Sequence, residues 1–466
     1  PIQEAPPVSA PESGTLPGVL GELAAEVGDQ PALVEDERSL SYAELARNAR
    51  RTAGGLAELG VSAGDHVAIL MENRIEWVEA MFGVLELGAT VVGVSTWAEP
   101  RELEYYLGHS DATAIVATAS FVGTDFASRL ESLLGYEQHP VGGLAADCCP
   151  QLETVVLCGA DRPGAATFDG LLAGPPEAAG EGPTPADDAL LLYTSGSTSK
   201  PKGVRRRHGE LIENGYQIGQ RMQLGPRDRF WLATPLFWSY GSANALCAML
   251  THGASALLQA PFDAERAVEL AADHDCTVYY GMPNMARDMV AADAFVDRTL
   301  SFRTGTTIGQ PEDIAFTIDE LGVPELCNVY GSTETYGNCA VTDCTLPRET
   351  RLETQGRPLA GQEIVVVDPD TGDRLPPGEV GEIRVGGRIT PGYHNAREQR
   401  QERFDETGFL KMGDLGRLDE AGRVQFRGRL ESVIKTGGIN VSAMEVEEYL
   451  LEHTAVEQAY VVGLED

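Results

Sequence analysis

Lysine is nearly absent from this chain. Lys200, Lys202, Lys411 and Lys435 stand alone against 31 arginines, and all basic residues together number 35 against 71 Asp and Glu. GC-rich coding or a salt-adapted proteome accounts for the arginine preference. The net charge of −36 disfavours non-specific attraction to nucleic acid or anionic lipid, and an anionic substrate would need a locally positive pocket. Each lysine is therefore expected where an ammonium is needed, and three of the four fall in glycine-rich segments. Paired cysteines are missing too. None of the eight forms a C-x-x-C pair, which argues against a zinc ribbon or a thioredoxin-type site. Free, buried thiols are expected, as suits a reducing cytoplasm. No apolar run approaches ~18 residues, so no membrane span is expected. The first basic residue is Arg38, so no signal peptide with a charged n-region is visible, though a removed leader stays open. At 466 residues and 42% apolar, the chain has material for two to four domains.

The hydrophobic pattern alternates strand and helix. Ser41 to Glu44 reads as a capping box opening a helix, His66–Met71 as a buried strand, and Arg74–Leu87 as a helix with Trp77, Val78, Met81, Phe82 and Leu85 on one face. The alternation predicts an α/β fold with parallel sheets. A Pro/Gly/Ala/Glu-rich stretch, 173–188, suggests a boundary, giving an N-terminal α/β subdomain over 1–185 and a second over 186–355. From about Gln355, short strands split by Pro-Gly and Asp-Gly turns predict a β-rich, barrel-like subdomain over 356–430. Residues 431–466 begin a last unit, with a strand expected over Gln458–Val462. Fewer than 40 residues rarely form their own core, so this unit reads as incomplete.

Four segments carry chemistry. In Leu190-Leu-Leu-Tyr-Thr-Ser-Gly-Ser-Thr-Ser-Lys-Pro-Lys-Gly203, an apolar strand runs into a loop with four hydroxyls, two glycines and half of the chain's lysines. Glycine admits close backbone approach, hydroxyls and amides donate hydrogen bonds, and lysine neutralises charge, which is what a polyphosphate cradle needs. The Walker A order is absent. Val329-Tyr-Gly-Ser-Thr-Glu-Thr335 places a carboxylate where Mg²⁺ beside a phosphate could use it, although Glu334 could also cap a helix. Met412-Gly-Asp-Leu-Gly416 reads as a turn or as an acceptor for ribose hydroxyls at Asp414. Phe426 to Asn440 mixes basic residues and glycines between two domains.

In this order and spacing, the four segments resemble the adenylate-forming superfamily of acyl- and aryl-CoA synthetases, luciferases and peptide-synthetase adenylation domains. The likeness runs from about residue 15 to the end. It implies a large N-terminal domain of two α/β sheets plus a distorted β-barrel, with a small mobile C-terminal α+β domain. It implies that a carboxylate attacks the α-phosphorus of ATP, giving an acyl-adenylate and pyrophosphate, after which a thiol, usually that of coenzyme A, displaces AMP. On this resemblance Thr194, Ser195, Gly196, Ser197, Thr198 and Lys202 would hold the β- and γ-phosphates. Thr333 would touch the α-phosphate, and Glu334 would bind Mg²⁺. Gly309-Gln310-Pro311 would form the adenine-side turn, with Tyr330 and Gly331 against the base, and Asp414 with Arg429 would take the ribose. Glu431 stands at the hinge position, and Lys435, Gly437 and Gly438 would line the pantetheine tunnel.

The sequence departs from the family pattern in places. Ser199 replaces a usual glycine, and Glu431 a usual aspartate. The family's C-terminal catalytic lysine has no counterpart after Lys435, so a chain ending at Asp466 is expected to adenylate poorly. Trp238 lies where peptide synthetases place an Asp for the substrate amine, and an indole cannot neutralise an ammonium. An apolar acid, whether aryl, alicyclic or fatty, is expected, with Trp238 and Ser239 at the pocket. Gly241, Ser242, Gly281 and Gly305 either make room for it or serve close packing. The alternatives are loading of a carrier-protein phosphopantetheine and a non-catalytic nucleotide-binding homologue. The sequence sets no oligomeric state, and a homodimer stays open.

Overall fold

The computed structural model describes residues 8–176, 182–194, 200–396, 403–430, 433–436, 439–442, 446–447, 450, 456 and 459–461. Two mixed sheets dominate it. The first has seven strands in the order Lys202–Arg207, Asp188–Thr194, Thr90–Gly93, His66–Leu70, Ala112–Thr118, Thr154–Cys158, Ala166–Thr167. All its pairings are parallel except that of Lys202–Arg207 with Asp188–Thr194. The second has nine strands around a parallel centre that includes Ser255–Leu258, Arg229–Leu232, Val278–Tyr280, Thr304–Thr307 and Glu325–Tyr330. Pro31–Glu35 joins that centre beside Ser255–Leu258. Strands and sequence segments do not map one to one. The first strands of the chain belong with residues 229–358, and Asp188–Thr194 joins residues 66–167.

The local reasons are those the sequence offers. Strands are short and mostly apolar because both faces are covered. Ser41 and Glu44 form the capping box that opens Tyr42–Glu58. In Ile75–Glu86, Trp77, Val78, Met81, Phe82 and Leu85 are all buried. The largest apolar cluster joins these two helices with residues of both sheets, among them Val67, Ile69 and Val91 from one and Phe230, Leu232 and Ala256 from the other. Two further clusters cover the outer faces.

A third sheet is antiparallel, with four strands: Gln362–Val367, Gly381–Gly387, Leu410–Leu418 and Val424–Arg429. Its core includes Tyr330 and Ala340 from the nine-stranded sheet and the adjoining Cys339, so the two pack directly. Val433–Thr436 pairs with Ile439–Ser442 as a hairpin. Residues 459–461, where a strand is expected, have no strand geometry, and Gln458 and Val462 lie outside the described residues. All eight cysteines are free, seven of them buried.

Candidate active site

The loops at the carboxyl ends of the parallel strands converge, the place where open α/β sheets bind ligands. Thr194 ends one strand and Lys202 begins its antiparallel partner, and the two are register neighbours. They form the base of the expected phosphate loop, while Ser195, Gly196, Ser197 and Thr198 lie outside the described residues. The helix Pro100–His109 braces that base. Tyr105 donates from its hydroxyl to the Pro201 carbonyl at 2.8 Å, Lys200 lies over the Tyr105 ring at 5.3 Å, and His109 Nδ1 meets the Tyr193 hydroxyl at 2.9 Å.

Lys202 and Glu334, 132 positions apart in the sequence, are linked through one ring. Lys202 Nζ lies 5.6 Å from the centre of Tyr393, whose hydroxyl donates to Glu334 Oε1 at 2.9 Å. Arg403 Nη2 is 3.7 Å from the same oxygen. Glu334 is buried, and a buried carboxylate needs such cationic and hydroxyl partners. It belongs to a tight turn, Thr333–Thr335, closed by Tyr336 in the left-handed region at φ 61°. The Thr333 hydroxyl is 3.5 Å from that of Ser239.

On the other side of this turn is a cavity of about 340 Å³, lined by Gly309, Gln310, Tyr330, Gly331, Asp414, Arg429 and others. Asp414 is a strand residue rather than part of a turn. Its Oδ2 accepts from the Tyr330 hydroxyl at 2.7 Å, and Arg429 Nη1 is 2.9 Å from Oδ1. Burial raises the Asp414 pKa, and the Tyr330 hydrogen bond and the two arginines Arg429 and Arg403 only partly offset it. Gln310 caps the helix Pro311–Asp319, with Pro311 in its first turn. Thus Gly309, Gln310, Tyr330, Gly331, Asp414 and Arg429 share one chamber.

A second cavity, about 390 Å³, adjoins it and shares Ile308, Val329 and Gly331. Trp238, Ser239, Tyr240, Met282 and Thr333 also line it, and among the described residues no lining side chain carries a charge. Trp238 is 41% exposed at its rim, edge-on to Trp97 at 4.9 Å. Gly241, Ser242, Gly281 and Gly305 do not line this chamber. The three glycines are closely packed. A Cβ would come within 2.2 Å of the Pro235 carbonyl at Gly241, 2.6 Å of the Tyr279 ring at Gly281, and 1.9 Å of the Tyr279 carbonyl at Gly305. Ser242 donates to the Trp238 carbonyl at 3.0 Å. The segment Tyr240–Leu246 is a π-helix, a rare geometry that recurs at functional sites.

Glu431, Gly437 and Gly438 lie outside the described residues, and Lys435 falls in the hairpin strand Val433–Thr436. Sequence reasoning missed Tyr393, Arg403 and Arg206. The first two lie in a turn-rich stretch with no pattern of its own. Arg206 left one trace, since strand alternation puts it on the same face as buried Val204.

Residues 21–394 match the family described as AMP-binding enzyme. YngI of Bacillus subtilis (strain 168), named as a candidate acyl-CoA synthetase, is 31% identical over 97% of this chain and 85% of its own length. The mitochondrial medium-chain acyl-CoA ligase ACSF2 of Mus musculus is 28% identical over 97% of this chain and 77% of its own. Among solved structures, the anthranilate CoA ligase AuaEII in complex with anthranoyl-AMP superposes with a TM-score of 0.84 at 26% identity, covering 99% of this chain and 86% of that one.

Proposed function

This chain belongs to the AMP-binding enzyme family, and from that premise we propose that it is an AMP-forming acid–CoA ligase for apolar carboxylic acids. ATP and an acid would give an acyl-adenylate and pyrophosphate. Coenzyme A would then take the acyl group and release AMP. The observation that carries the acid class is the uncharged second chamber. Its described lining holds no carboxylate for a substrate ammonium and offers aromatic and aliphatic surface to an aryl or fatty chain. The relatives agree in kind, being named for medium-chain and anthranilate ligases.

The first chamber would take the nucleoside. Asp414 is a buried acceptor suited to ribose hydroxyls, and Gly309 and Gln310, which line the chamber, would face the base, with Pro311 following in the helix they open. Thr194 and Lys202 would engage the outer phosphates, with Thr333 at the α-phosphate. Both steps concentrate negative charge, so positioning and electrostatic stabilisation would carry the rate. Glu334 fits Mg²⁺. No group of three or more His, Cys, Asp or Glu among the described residues could hold a metal alone, so the ion would take one carboxylate here and complete its shell with phosphate and water.

The test is to incubate the full chain with ATP, Mg²⁺ and a panel of carboxylates, with coenzyme A or a phosphopantetheinyl carrier protein, and to read thioesters by mass. Acyl-CoA from aryl or medium-chain acids is expected. Amino acids turning over best, or thioester only on the carrier, would contradict the proposal.

A further inference from the structure

Arg206 has no place in the scheme above, yet it lies directly beneath the turn that carries Thr333 and Glu334. Its side chain is fully buried. It donates from Nη2 to the Thr333 carbonyl and lies over the Tyr336 ring at 5.9 Å. Nε and Nη1 have no hydrogen-bond partner, and no carboxylate among the described residues forms an ion pair with it. Burying a cation without an ion pair is costly and is not retained for stability alone.

The turn itself shows what the arginine does. Four successive carbonyls are gripped by donors from four separate places. Thr333 is held by Arg206, Glu334 by the Thr390 amide at 2.7 Å, Thr335 by Gln362 Nε2 at 3.3 Å, and Tyr336 by Asn244 Nδ2 at 2.7 Å. Only the grip on Thr333 is charged. It acts on the peptide between the two residues expected at the α-phosphate and the metal.

We propose that Arg206 is the positioning residue of the Thr333–Glu334 turn, fixing the Thr333 carbonyl from below so that the Glu334 carboxylate is held ready for the metal. The inference rests on the ligase reading. Burial lowers the Arg206 pKa to about 10, with Tyr336 and Glu334 opposing the shift, so the guanidinium stays charged at neutral pH.

Three proteins decide it: the unmodified full chain, Arg206→Met and Arg206→Lys. Methionine keeps an apolar stem of similar reach and removes the buried cation, so its melting temperature should be unchanged or higher. Calorimetry should show ATP with Mg²⁺ binding at least about tenfold more weakly to Arg206→Met, while ATP without Mg²⁺ changes by less than about threefold. Arg206→Lys keeps charge and a donor and should stay within about threefold of the unmodified chain in both conditions. The inference fails if Arg206→Met binds like the unmodified chain, loses affinity equally with and without Mg²⁺, or does not fold, since a folding defect would make the arginine structural. If the unmodified chain ignores ATP with Mg²⁺, the ligase reading falls and takes this inference with it.

Discussion

His208 and His252 are buried, and burial pulls both ring pKa values down to about 4. His208 Nδ1 accepts from the Leu16 amide at 3.2 Å, and His252 stacks on Tyr216 at 5.5 Å. In the unfolded chain each would titrate near ~6.5. Between those values the unfolded state binds more protons, so the stability these rings supply is complete above about pH 6.5 and is lost as pH falls towards 4. Denaturant unfolding at pH 7.5 and 4.5 should show a loss of roughly 2–3 kcal/mol per ring. A double variant, His208→Gln with His252→Gln, should decline less steeply, and equal slopes for the two proteins would refute the assignment. Legibility at this scale followed charge. Lys202 could be picked out because lysine is so rare. Arg206 was not, because it is one arginine among 31, and its alternation with Val204 along the strand gains meaning only once the packing shows it buried.

Elements were more readable than single side chains. The strand leading to Thr194 and the helix Ile75–Glu86 were legible because apolar period and punctuation agreed. Leu410–Leu418 was not, since Gly413, Asp414 and Gly416 look like a turn when isolated from the neighbouring strands that hold them extended. The glycines near the acid chamber illustrate the same limit, for a missing side chain in a sequence can mean open space or none at all. At Gly305 the backbone of the neighbouring strand leaves no room for a methyl group. Gly305→Ala should therefore cost about 3 kcal/mol or more, measured as a lowered urea midpoint. A protein of unchanged stability with altered acid preference would instead make that glycine part of the chamber wall.

Taken as a whole, the molecule carries far more negative than positive charge. Self-repulsion of that size weakens a compact state at low ionic strength and is screened by salt. The melting temperature should rise by about 5 °C between 0.05 and 1 M KCl, and a flat profile in differential scanning fluorimetry would show that the surface acids are locally balanced. The exchange of strands between the two large sheets was invisible in the sequence, because apolar runs state that a strand is buried and not which sheet buries it. The two chambers meet at Ile308, Val329 and Gly331, at the ends of neighbouring strands of the nine-stranded sheet. The wall between them is formed in part by Gly331, where an added Cβ would come within 2.1 Å of the Gly337 carbonyl. With only main chain there, one small molecule joining a nucleoside to a greasy tail through a short neutral linker could occupy both compartments at once. Each half would raise the effective concentration of the other, which makes such a bisubstrate compound a natural starting point for an inhibitor.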